Sequence, residues 1–244
     1  IVFIGINPSM FAAYTGKYYD GPGNHFWQAL YLSGIIPEPM TAGDDHKMLK
    51  LGIGFTNIVA RTTKGVADLT KKEINEGSAI LREKLCRFNP KVAVFNGKAI
   101  YEVYSGQKKF MFGRQPEPLN DGATWLWVMP SSSARCAQLP RAVDKVPFFD
   151  ALRKFRDYLS GRLPKIEDCE VVFANVSLRN WPAKNAIKTE YLIIMHNITT
   201  THQNKYLTPC FNYPLVLQHF KKTMIRCATL KRFAAFAPIS FVVK

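Results

Sequence analysis

At 244 residues the chain has room for one globular domain of ordinary size with an appendage. Apolar residues make up 47% and aromatics 13%, which excludes a wholly disordered chain, and no run approaches the roughly 18 apolar residues of a membrane-spanning helix. Thirty-three Lys and Arg against 18 Asp and Glu leave a net charge of +15, so polyanions are the favoured partners, nucleic acid first and an anionic membrane surface second.

Residues 1–6, IVFIGI, read as a buried strand, and the chain is taken to open inside that strand rather than in a signal peptide. HFWQALYLS (25–33) predicts a short helix with Asn24 at its N-cap and Gly34 closing it. Residues 71–88 form the clearest amphipathic helix, with Ile74, Ile80, Leu81, Leu85 and Phe88 as its apolar positions. KVAVF, bounded by Pro90 and Gly97, is a second interior strand; a helix follows from Lys98, and WLWVM (125–129) is a third strand. A closing helix is expected over 146–161, ending at Gly161. Strands alternating with helices imply an α/β fold, a central parallel sheet flanked by helices on both faces.

Composition divides the chain near residue 162. All 15 glycines precede that point, and the 82 residues after it contain none. Turns and helix ends need residues tolerant of positive φ, so a Gly-free stretch of that length is unlike a packed domain. Residues 1–162 are read as the catalytic domain. Residues 163–244 are read as an atypical, poorly ordered C-terminal extension, of a kind an alternative exon would supply. Cys86, Cys136, Cys169, Cys210 and Cys227 are widely spaced and form no C-x-x-C or Cys/His cluster, so a metal site is not expected and free thiols in a reducing compartment are.

Ligands of open α/β sheets gather at the carboxyl ends of the strands. After the first strand comes Gly5-Ile6-Asn7-Pro8-Ser9, and after the third comes Pro130-Ser131-Ser132-Ser133-Ala134-Arg135; Gly21-Pro22-Gly23-Asn24 and Gly54-Phe55-Thr56-Asn57 lie between. Asn7, followed by a proline, can orient a water or a base edge, or cap a turn through its own backbone. The serine triplet offers a phosphate cradle or a plain polar loop. Arg135 beyond it can pair with a phosphate, enter a duplex, or sit solvated. Tyr18-Tyr19 can supply a stacking ring or core packing. Asp44-Asp45-His46 could hold a cation, but helix entry is the simpler reading, and His25 reads as structural. There is no G-x-G-x-x-G, no P-loop and no G-x-S-x-G.

The stretches IGINPS, AAYTGKYYDGPGNHFW, GDDH, GIGFTNIVARTT, VAVFNGKAIYE and MPSSSARCAQLPRAVDK together resemble the mismatch-specific thymine/uracil-DNA glycosylases, most closely their animal members. They recur in family order over most of residues 1–160, and SSSARCAQ is highly specific. The resemblance implies a uracil-DNA-glycosylase-like α/β fold and a monofunctional, cofactor-independent nuclear enzyme on double-stranded DNA. Such an enzyme flips a base from the duplex and hydrolyses its N-glycosidic bond, leaving an abasic site. Its implied substrates are uracil or thymine opposite guanine and 5-formyl- or 5-carboxylcytosine, with roles in base-excision repair and cytosine demethylation.

Carried over by motif, Asn7 is the catalytic residue that binds the attacking water and Thr63 is its helper. Tyr19 stacks on the flipped base, with Tyr18, Asn24 and Asn57 completing the base site. Arg135 fills the hole left in the helix, Ser131 and Ser133 within the Ser131–Ser133 loop (Ser132 included) pinch phosphates, and Lys98 adds a phosphate contact. Gln138 and the backbone near Ala134 and Pro140 read the widowed guanine. Tyr18 stands where vertebrate members have His, and Ser9 where the family has Gly. Two other readings stay open: a uracil-preferring glycosylase of the same fold, and a catalytically inactive module that binds mispairs or abasic DNA.

Overall fold

The computed structural model of the chain describes residues 1–174. Six strands form one sheet in the order β2-β1-β3-β5-β4-β6: β1 (Val2–Gly5), β2 (Gly54–Asn57), β3 (Val92–Asn96), β4 (Phe112–Arg114), β5 (Trp125–Met129) and β6 (Val172–Phe173). The first three and β5 run parallel, while β4 is antiparallel to both β5 and β6. The expected α/β fold with strands at residues 1–6, 91–95 and 125–129 is therefore present, and β2, β4 and β6 are additional to it.

Helices cover both faces: α1 (Met10–Thr15), α2 (Phe26–Leu32), α3 (Lys71–Phe88), α4 (Lys98–Ser105), α5 (Ala142–Leu159) and α6 (Asp168–Val171), with a 3-10 helix over Ala42–Leu51. Side chains alternate across a strand. In β3, Val92 and Val94 join Phe3, Phe26, Leu30, Trp127, Phe148, Phe149 and Leu152 in the layer beneath α2 and α5. Ala93 and Phe95 face the other way and join Ile4, Leu81, Leu85, Ile100, Tyr101 and Val128 beneath α3 and α4. All five residues of β3 are buried, as a central parallel strand requires.

The α3 stripe is narrower than its apolar positions imply. Gly77, Leu81 and Leu85 are buried at four-residue spacing, whereas Ile80 is 51% and Phe88 69% exposed. Gly77 sets the approach: a Cβ there would fall 2.3 Å from the Ile58 carbonyl oxygen, so the helix backbone lies directly on the segment following β2. The closing helix starts four residues earlier than expected, because Asp144 accepts from the Arg141 backbone N–H at 3.1 Å and caps a first turn at Ala142. The fold also passes residue 162: Val171 is buried in the core, and β6 pairs with β4. Residues 175–244, which contain most of the expected extension, lie outside the described residues.

From β2, on one side of β1, the chain crosses through α3 to β3 on the other. The crevice at such a reversal opens at the carboxyl end of β1. Gly5-Ile6-Asn7, Asn57, Asn96 and Pro130-Ser131 end the four parallel strands at this edge.

Candidate active site

The pairing of β1 with β2 continues past the strands, as Ile58 N–H donates to Gly5 O at 3.0 Å and Val59 N–H to Ile6 O at 2.8 Å. That extension carries residues 61–63 alongside Asn7. The Asn7 Nδ2 group donates to the Arg61 carbonyl at 2.9 Å and to Thr63 Oγ1 at 2.7 Å, and Thr63 in turn donates to Gly65 O at 2.8 Å. The carbonyl of Arg61 can only accept, so these bonds fix which end of the amide is nitrogen. Both amide protons are used and Oδ1 is left without a donor among the described residues. Asn7 does not cap its own turn. Ser9 takes that role, accepting from Ala12 N–H at 3.1 Å to cap α1, so the residue that departs from the family pattern has a local structural use.

Arg61, which sequence reasoning missed, is itself clamped. Its guanidinium pairs with Glu73 and donates to Asp68 O at 2.9 Å, while Glu73 closes a capping box by accepting from Thr70 N–H at 2.8 Å. The Arg61 guanidinium and the Thr70 donors hold the Glu73 carboxyl down to about 2. The T-x-x-E signature of that box was the signal that could have found it.

Tyr19 and Asn57 meet at Gly5. A Cβ at Gly5 would sit 2.4 Å from Asn57 Oδ1 and 3.8 Å from the Tyr19 hydroxyl, so only glycine lets the amide lie across the strand end. One face of the Tyr19 ring stacks on Phe26, centroids 3.8 Å apart and planes 17° apart. The backbone of Tyr19 is left-handed at φ 57°, a strained value for an aromatic residue. Burial raises the Tyr19 phenol well above its usual range, so it stays protonated. Tyr18 packs on Phe55 and remains 36% exposed. Both rings pack, Tyr18 on Phe55 and Tyr19 against the core on Phe26, and Tyr19 in addition lies beside Asn57 at the end of β1. Asp45 anchors their loop through Lys17 Nζ at 2.8 Å and Tyr18 N–H at 3.3 Å, while Asp44 caps the 3-10 helix, so helix entry is the role of Asp44 and loop anchoring that of Asp45.

Asn24 accepts from Phe26 N–H at 3.1 Å and caps α2 one residue ahead of the first helical turn. Its loop meets the serine loop: a Cβ at Gly23 would lie 3.2 Å from Ala134 Cβ, and His25 N–H donates to Ser132 O at 3.0 Å. Ser132 corrects the expectation of a phosphate contact. Its hydroxyl accepts from Asn96 Nδ2 at 2.8 Å, its N–H donates to Asn96 Oδ1 at 3.0 Å, and the residue is 1% exposed. It ties the loop to β3 and offers nothing to solvent. Ser131 and Ser133 are half-buried, and their hydroxyls accept from Ser133 N–H and Arg135 N–H at 3.2 Å. Ala134, Arg135, Gln138 and Pro140 are exposed along the same rim.

Arg135 lies across the crevice, donating to Lys64 O at 2.9 Å, one residue from Thr63. Lys98 begins α4 beside this loop, but its ammonium is turned to Glu102 at 3.4 Å and lies over the Phe110 ring, so the structure does not bring it to the serines. Among the described residues no group of His, Cys, Asp and Glu is arranged to hold a metal.

Residues 1–160 match the model of the uracil DNA glycosylase superfamily. A G/U mismatch-specific uracil DNA glycosylase of Schizosaccharomyces pombe is 34% identical over 146 residues, covering 56% of this chain and 44% of that relative. The chain thus spans less than half the length of the curated relative it matches. With the Asn7 clamp at the end of β1 and the serine loop after β5 in one crevice, the chain belongs to the uracil DNA glycosylase superfamily.

Proposed function

We propose that this chain is a monofunctional DNA glycosylase that extrudes uracil mispaired with guanine from duplex DNA and hydrolyses its N-glycosidic bond. The observation that carries the reading is the Asn7 amide, whose nitrogen is held by Arg61 O and Thr63 while Oδ1 is left to accept from a water. The similarity to a G/U mismatch-specific relative supports uracil as the base. Thymine opposite guanine, 5-formylcytosine and 5-carboxylcytosine are proposed as further substrates, with base-excision repair and cytosine demethylation as the processes served and the nucleus as the place of action.

As the C1′–N bond breaks, the base leaves with the bonding electrons and the sugar gains oxocarbenium character. Water bound at Asn7 Oδ1 attacks C1′, its oxygen forms the new bond, and its proton passes to solvent or to the departing base. An amide supplies orientation without a negative charge or appreciable basicity, so the rate depends on how good a leaving group the base is. Uracil is then released faster than thymine. Tyr19 offers its ring to the flipped base, and Asn57 and Asn24 face its polar edges. Arg135, released from Lys64 O, enters the vacated position in the helix, and the net charge of +15 favours the polyanion throughout.

The test is single-turnover incubation of the full chain with duplexes carrying G·U, G·T or 5-carboxylcytosine, followed by alkaline scission of abasic sites. Strand scission at uracil is expected to be fastest, thymine slower. Scission at uracil alone selects the uracil-preferring reading, and binding without scission of any substrate selects the inactive module.

A further inference from the structure

Lys145 lies in the first turn of α5 with none of its surface exposed. Its Nζ is 2.7 Å from His25 Nδ1, 3.1 Å from Ser133 O and 3.4 Å from Ser132 O. Three acceptors match the three protons of an ammonium, and a neutral amine has only two. An ammonium at Lys145 requires His25 Nδ1 as acceptor, and burial together with the Lys145 charge lowers the His25 pKa, which favours the neutral ring. Burial works most strongly against this cation, while Cys136 of the loop and then Asp144 of the same helix, itself paired with Arg141 at 2.6 Å, favour the charged form.

That placement is unfavourable for stability three times over. Burial lowers the Lys145 pKa, the positive end of the helix dipole repels a cation, and the chain already carries +15. Replacing a buried charge with an apolar side chain is commonly neutral or stabilising. The gain lies in the loop above. The described peptides are trans, and a trans peptide points its N–H opposite to its C=O. Lys145 Nζ and the Cys136 N–H, each at 3.1 Å, together hold the Ser133 carbonyl inward, so the Ala134 N–H must face outward. It has no acceptor among the described residues, and Ala134 is exposed at the crevice rim.

We infer that Lys145 is a positioning residue, which turns the Ser133–Ala134 peptide so that its N–H receives a backbone phosphate of the DNA beside the flipped nucleotide. The inference rests on the proposed action on duplex DNA. The buried cation also sits one peptide unit behind that phosphate, with little water between to screen it. Ser132, tied to Asn96, keeps the loop from rotating away.

The experiment measures binding of the full chain to a duplex with an abasic site opposite guanine over a range of salt concentrations. It compares wild type, Lys145→Met, Ala134→Pro (which deletes the N–H at an exposed position) and the double variant. Each single variant is expected to bind about tenfold more weakly. In Lys145→Met, which also removes the cation, the slope of log K against log salt should be shallower by up to about 0.9, whereas Ala134→Pro removes only a neutral donor and should leave the slope unchanged. The double variant should lose no more than either single one. An unchanged slope in folded Lys145→Met, undiminished duplex affinity in Ala134→Pro, or additive losses in the double variant would each overturn the inference. If Lys145→Met does not fold, the Ala134→Pro affinity decides alone, because that site is exposed and carries no core packing. Failure of the wild type to bind the duplex would instead overturn the proposed function.

Discussion

Asn7 and Thr63 are 56 positions apart in sequence and 2.7 Å apart between amide nitrogen and hydroxyl oxygen. Thr63 is 93% buried by its surroundings, being 7% exposed, and its own proton goes to Gly65 O. It cannot act on substrate as a base. It holds the amide nitrogen, which leaves Oδ1 without a donor among the described residues.

Thr63→Val therefore removes an acceptor from a part-buried N–H while keeping the shape of the side chain. The cost of such a loss, about 1–3 kcal/mol, corresponds to a fall in single-turnover excision of about five- to 150-fold. Thr63→Ser, which keeps the oxygen, should remain within a few fold of wild type. Equal rates for the valine and serine variants would remove Thr63 from the account.

Gly5→Ala tests the floor of the proposed base site. The added methyl would meet Asn57 Oδ1 at 2.4 Å, so the amide must swing away while the β1–β2 pairing stays intact. Weaker apparent affinity for the G·U duplex and poorer discrimination among bases are expected, with little change in melting temperature. A variant that keeps both would show that Asn57 does not contact the base.

Much of this was legible from the chain. The runs IVFIGI, KVAVF and WLWVM are apolar, short and bounded by turn residues, and each forms a strand of the buried sheet. GFTN (54–57) was read as a loop because half of it is polar, and none of its residues is fully buried even as a strand. Strands β4 and β6, of three and two residues, are too short to show a period. The site loops were found by their position after strands and by family resemblance. Lys145 was not, since one lysine among many carries no mark. The available signal was its spacing: with Phe148, Phe149 and Leu152 at offsets of three, four and seven, it lies on the apolar stripe of α5, where a charge needs a reason.

Arg135→Ala separates duplex opening from chemistry. The side chain is exposed and its folded-state bond is to a single carbonyl, so its loss should leave stability unchanged. Excision of thymine should fall several-fold more than excision of uracil, because the G·T pair is harder to open. Equal losses on the two substrates, measured by single-turnover kinetics, would contradict a plugging role.

The Glu73–Arg61 clamp gives a pH signature. The Arg61 guanidinium and the Thr70 donors hold the folded carboxyl down to about 2, below its ordinary 4.5, so the folded state binds fewer protons than the unfolded one in between. Its contribution is complete above pH 4.5 and disappears as pH falls toward 2. Glu73→Gln should melt below wild type at pH 7, and the gap should close over that acid range. A gap that persists at pH 2 would mean that charge is not what Glu73 supplies.

The most direct measurement is made on Asn7→Ala with a G·U duplex: binding by fluorescence anisotropy and excision by single-turnover assay on the same preparation. The water-holding role predicts duplex affinity close to wild type with no detectable abasic product. Excision at the wild-type rate by that variant would contradict it.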